Sequence, residues 1–124
     1  MQADTEFTGP LAAKLWVSSD STDADLFVVV GVYDPDGRET TFIGSNDPRT
    51  PVGLGWLRAS HRKLDPKESK PYRPYHTHDE EQPLTPGVPV ELDVEIWPTS
   101  IVVPALCRIA ISVRATSWRP AKRT

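Results

Sequence analysis

Apolar residues fall on alternate positions in several stretches of the chain, with a period of two rather than 3.6. The clearest is Val88–Trp97, where Val90, Leu92, Val94 and Ile96 alternate with Glu91, Asp93, Glu95 and Trp97. That pattern predicts a strand buried on one face and wet on the other. Cys107, Ile109, Ile111 and Val113 alternate in the same way with Arg108, Ala110, Ser112 and Arg114, and Ala13, Leu15 and Val17 mark a strand within Ala12–Val17. Gly55–Arg62 sets Leu57, Ala59 and His61 against Trp56, Arg58, Ser60 and Arg62. Leu26–Tyr33 is nearly continuous and rich in β-branched residues, which suits a strand covered on both faces.

Turn chemistry separates these stretches. Asp34-Pro35-Asp36-Gly37 presets a turn, because proline fixes φ and glycine accepts positive φ, and Thr40–Ile43 then reads as the returning strand of a hairpin. Gly9-Pro10 punctuates the start, the polar run 18–25 and the segment 45–52 read as turns and loop, and Pro98 is expected to end the Val88–Trp97 strand. Ile101–Val103 is a short apolar piece closed by Pro104. Lys63–Gly87, with five prolines and two of the three histidines, reads as one long polar loop. A loop of that length is usually functional or disordered. Several short strands with turn signals between them indicate an all-β sandwich or jelly roll.

Composition adds limits. The 124 residues fit one domain and fall well short of an α/β-barrel, which needs ~250. The 13 prolines are spread along the chain and exclude long helices, coiled coils and helical membrane spans. The net charge of −3 carries no nucleic-acid footprint, and no apolar run reaches the ~18 residues of a membrane span, so neither nucleic acid nor membrane is expected as a partner. One cysteine, Cys107, cannot form an internal disulfide, and no apolar leader follows Met1. Cytoplasmic localisation is the default that follows. The organisation expected is a lead-in over 1–8, a jelly-roll domain over 9–114 with its long loop at 63–87, and a basic tail over 115–124. Five basic residues and no acidic one lie between Arg108 and Thr124.

Candidate chemistry is sparse. The G-x-S-x-G nucleophile elbow is absent, so no catalytic residue is assigned and the chain is not read as a self-contained serine hydrolase. His76-Thr77-His78-Asp79-Glu80-Glu81 would project His76 and His78 to one face of a strand, but no third histidine follows. They remain weak metal candidates, with His61 upstream as the remaining histidine, and the expected metal and cofactor complement is none. Asp20, Asp23 and Asp25 supply oxygen donors, yet without the glycine and terminal glutamate of a calcium loop they read first as turn and strand-start hydrogen bonding. Cys107, in phase with Ile109, reads as a small buried hydrophobe. Trp56, Arg58, His61, Tyr72, Tyr75 and Trp97 form the candidate docking or ligand surface, since aromatic residues and arginine are enriched at interfaces. Trp16 and Trp118 are the other tryptophans.

The ordered set Gly9-Pro10-Leu11, Leu15-Trp16-Val17-Ser18-Ser19-Asp20, Asp23-Ala24-Asp25-Leu26-Phe27-Val28, Asp34-Pro35-Asp36-Gly37, Gly55-Trp56-Leu57-Arg58-Ala59-Ser60-His61-Arg62, Leu84-Thr85-Pro86-Gly87 and Glu95-Ile96-Trp97-Pro98-Thr99-Ser100 resembles the C-terminal domain of the Xaa-Pro dipeptidyl-peptidase / cocaine-esterase-like (CocE/NonD) serine hydrolases. The resemblance covers about residues 5–113. It implies a galactose-binding-like jelly roll that packs on an α/β-hydrolase catalytic domain, absent from this chain, and helps shape its substrate pocket. The catalytic triad of the family lies on that absent domain. The alternative is a stand-alone carbohydrate or small-ligand binding module. Leu106-Cys107-Arg108 departs from the family's glycine, histidine or tyrosine, then arginine, and the chain beyond Val113 departs too, so the closing strands of the jelly roll are missing or replaced. A missing strand leaves an open sheet edge, and a homo-oligomer formed through that edge is expected.

Overall fold

The computed structural model describes residues 1–43 and 49–115. Six antiparallel strands form the framework: β1 (Thr5–Val17), β2 (Asp25–Tyr33), β3 (Glu39–Thr40), β4 (Gly53–Arg58), β5 (Val90–Val103) and β6 (Arg108–Arg114). One 3-10 turn, Ala59–His61, follows β4. The lateral order is β1-β5-β4-β2, with β6 on the far edge of β2 and the short β3 beside its end. The fold is all-β and not closed, as expected of a β-sandwich domain.

Two ladders make the sandwich. β1 and β5 pair along nearly their whole length, from Thr5↔Val103 to Val17↔Val90. β2 pairs β4 on one side and β6 on the other. A single pair, Gly55↔Ile96, bridges the ladders. Both turn their apolar faces to one core of Leu26, Val28, Val30 and Val32 from β2, Leu57 from β4, Leu92, Val94 and Ile96 from β5, and Ala13 from β1. β2 is covered on its other face as well, where Val29 and Gly31 are buried. A Cβ on Gly31 would come within 3.0 Å of the Tyr33 ring.

Several boundaries differ from the sequence reading. β1 begins at Thr5, ahead of the Gly9-Pro10 punctuation. Pro98 does not end β5, which runs on through Ile101–Val103. Between Gly9↔Thr99 and Leu11↔Ile96 the register slips, so that Pro10 stands opposite Trp97 and Pro98. Both prolines thus occupy the bulge, the one place where a missing N–H leaves no ladder bond unmade. Gly9, at φ +114°, supplies the backbone conformation the bulge needs. β4 stops at Arg58 and the chain turns through Ala59–His61, so His61 leaves the alternation predicted for it. In the hairpin after β2, Asp34 Oδ1 accepts the amides of Asp36 and Arg38, Gly37 sits at φ +84°, and the returning strand is only Glu39–Thr40, with an isolated Phe42↔Thr50 bridge beyond it.

The long loop is ordered by its own hydrogen bonds. Asp65 and Thr77 amides donate to the Tyr75 and Lys63 carbonyls, and Gln82 and Leu84 amides donate to Ser60 and Thr22. Leu84 is inserted into the core at 3% exposure. Cys107 is buried as its phase indicates, whereas its in-phase neighbours Ile109, Ile111 and Val113 stay exposed, because β6 lies on the sheet edge. No helix among the described residues is long and apolar enough to cross a membrane. The basic tail beyond Ala115 and Trp118 within it lie outside the described residues.

Candidate functional site

The outer face of β4 assembles the site. Alternation buries Leu57 and turns Trp56 and Arg58 outward. Asp25 lies directly across from Arg58 in the β2 register, and Phe27 across from Trp56. Arg58 Nε and Nη2 donate to the two Asp25 carboxylate oxygens at 2.8 and 3.2 Å. The Arg58 hydrogen bond holds the Asp25 carboxyl below its ordinary value, and Asp25 in turn raises Arg58. The pair is exposed, so its net stabilisation is small.

The Gly55↔Ile96 bridge sets β5 beside Trp56 and brings Trp97 to it. The two indole rings meet edge to face, 5.6 Å apart at 79°, a favoured aromatic arrangement. Both remain more than half exposed, at 58% and 55%.

The long loop brings its histidines to the same place. Trp56, Arg58, Asp25, His61, His76 and His78 line an open cavity of about 430 Å3. His76 Nε2 is buried without a hydrogen-bond partner. Burial pushes its imidazole below the ordinary value. His61 and His78 face each other with Nδ1 atoms 3.0 Å apart. Sequence separation hid this meeting of all three histidines. No group of three His, Cys, Asp or Glu among the described residues is placed to hold a metal ion. Tyr72 and Tyr75 are exposed on the loop but do not line this cavity.

The aspartates serve the scaffold. Asp23 Oδ1 accepts the Ala24 and Ser60 amides at 2.8 and 3.0 Å, and Oδ2 accepts the Ser60 hydroxyl at 2.7 Å. Burial acts to raise the Asp23 carboxyl, but these donors together hold it below its ordinary value. Asp23 thereby ties the start of β2 to the turn that carries His61. Sequence reasoning could have found the Asp25–Arg58 pair only by knowing the β2–β4 register.

The family described as the X-Pro dipeptidyl-peptidase C-terminal non-catalytic domain matches residues 1–124. A provisionally named serine esterase of Mycobacterium bovis is 32% identical over 113 residues, covering 87% of this chain and 16% of its own length, and a Mycobacterium tuberculosis counterpart gives the same figures. Among solved structures, a CocE/NonD family hydrolase of Staphylococcus aureus is 32% identical with a TM-score of 0.93, covering 98% of this chain and 22% of that one. An aminopeptidase from a Thaumarchaeota archaeon shares the fold, with a TM-score of 0.66 at 20% identity. The chain therefore spans about a fifth of the length of these relatives.

Proposed function

This chain belongs to the X-Pro dipeptidyl-peptidase C-terminal non-catalytic domain family, and from that membership we propose that it serves a serine hydrolase of amide or ester substrates by packing on an α/β-hydrolase catalytic domain and shaping its substrate pocket. The observation that carries the docking part is the exposed Trp56–Trp97 pair beside the Arg58–Asp25 ion pair. Large aromatics and arginine on a rigid strand face are the residues that anchor interfaces. Arg58, His61 and the Trp56 ring border the cavity and would look toward the partner domain, and Tyr72 and Tyr75 extend the same proposed surface along the loop. The test is binding of this chain to a cognate catalytic domain, compared with its Trp56→Ala and Trp97→Ala variants. Undiminished binding by both variants would overturn the docking surface.

A stand-alone carbohydrate or small-ligand module is the second reading. It is favoured by the same open cavity with an indole on its wall. A glycan-array signal lost on replacing Trp56 would support it over docking. Self-association through the free edge of β6 belongs to the proposal too, since that strand pairs only β2 among the described residues and presents Ile109, Ile111 and Val113 to solvent.

A further inference from the structure

The His61 and His78 rings lie in a geometry that two Nδ1–H donors could not share. Their Nδ1 atoms are 3.0 Å apart and their ring centroids 5.2 Å apart. The difference is about twice the distance from an imidazole centre to its ring atoms, so the rings meet nose to nose. Two ligands of one metal ion converge from the side instead. The contact is therefore an N–H···N hydrogen bond, in which one Nδ1 donates and the other accepts. It exists only while at least one ring is neutral at Nδ1.

The backbone is arranged to produce this contact. His78 sits at φ +54°, an uncommon conformation for a residue other than glycine. Its neighbours are clamped on the other side: the Thr77 amide donates to the Lys63 carbonyl, Thr77 Oγ1 donates to Asp79 Oδ1, and Lys63 Nζ pairs with the Asp79 carboxylate at 3.1 Å. His61 ends the 3-10 turn whose Ser60 amide and hydroxyl donate to Asp23.

We propose that the His61–His78 hydrogen bond is a proton-operated latch fastening the long loop to the turn after β4, closed while one ring is neutral and opened when both are protonated. Charged and titratable groups surround it, including Asp93 and Glu95 of β5, which act on His76, and Glu81, which acts on Arg58. Arg58 and Asp25 line the same cavity and pair with each other, His76 stands 6.0 Å from His78 ring to ring, and Lys63, Asp79 and Glu80 flank His78 on the loop. No carboxylate among the described residues hydrogen-bonds either latch ring. The latch stands whether or not this face docks on another domain.

The experiment uses the whole chain labelled with 15N. At pH 8 a scalar coupling across the hydrogen bond should link the two Nδ1 signals, and at pH 5 it should vanish. Hydrogen exchange reads the mechanical consequence. On acidification the protection factor of the Thr77 amide should fall about fivefold, the effect of losing one typical hydrogen bond, while that of Gly87, whose amide donates to the Ser19 carbonyl, should not. In His78→Asn, whose side chain tolerates positive φ, the Thr77 response to pH should be flat. Absence of the coupling at pH 8, or an unchanged Thr77 response in His78→Asn, would overturn the proposal.

Discussion

Gly55 lies so close to the Glu95 carbonyl that a side chain of any size at this position would overlap the backbone of β5. The contact occurs at the one bridge between the two ladders, so it sets how closely they approach. Gly55→Ala should therefore destabilise the domain by about 1–3 kcal/mol, the usual cost of overpacking, and Gly55→Val by more. Chemical denaturation of the two variants measures it. A variant as stable as the parent would show that the bridge relaxes freely.

Asp23 should govern acid stability. Its folded-state carboxyl lies below the ordinary value, so the folded chain binds fewer protons than the unfolded one. The stabilisation is complete above about pH 4 and is lost as pH falls through the folded-state value. Asp23→Ala strands the Ser60 hydroxyl and amide in a residue that is 4% exposed, at a cost of about 1–3 kcal/mol at neutral pH. The gap between parent and variant should close as the pH is lowered toward 2. A constant gap across that range would assign the effect to packing instead.

Trp56→Ala and Trp97→Ala should barely change the stability of the isolated chain, because both rings are largely in solvent. Binding to a cognate catalytic domain should weaken about 30-fold or more for an anchor residue, equivalent to ~2 kcal/mol. Titration calorimetry separates the two effects.

Leu84 is the plug of the long loop. Leu84→Ala should cost about 2–5 kcal/mol and loosen the segment around it, since the side chain fills core space between the ladders. Limited proteolysis should then cut within 63–87 faster than in the parent.

Pairing of β6 with the same strand of a second copy, antiparallel and centred on Ile111, would set Arg108 across from Arg114. Like charges facing across strands repel. Any dimer formed through this edge should thus strengthen with added salt, which screens them. Light scattering across salt concentrations checks this, and a monomer at every concentration and ionic strength would remove the edge from consideration.

Legibility in the sequence followed the physics of each signal. Period-two alternation located β4, β5, β6 and the second half of β1, a continuous β-branched run located β2, and the alternation named Trp56, Arg58 and Trp97 as outward residues. It overran at Arg58, where the Ser60–Asp23 hydrogen bonds turn the chain, a tertiary cause with no local trace. It stopped short at Pro98, because a proline's meaning depends on the partner strand, and the matching Pro10 lies 88 positions away. The alternation in β6 was read correctly, but the exposure of Ile109, Ile111 and Val113 is decided by lateral position in the sheet. The histidine cluster was invisible for the same reason as the Asp25–Arg58 pair: only the fold places position 61 against position 78.

The pairing of β1 with β5 also bears on how the chain is made. Partners in that ladder are separated by 73 residues at Val17↔Val90 and by 98 at Thr5↔Val103. Synthesised from its amino end, β1 leaves the ribosome long before the strand that will cover it. Its apolar stripe of Leu11, Ala13, Leu15 and Val17 then waits unpaired while β2 and β4, neighbours in sequence, can already associate. Distant pairings of this kind fold slowly and leave strands exposed to other chains in the interval. Lys14, the one charge set between Ala12 and Trp16 on the other face of that stripe, would limit wrong pairings in that interval, so its charge matters most before the fold exists.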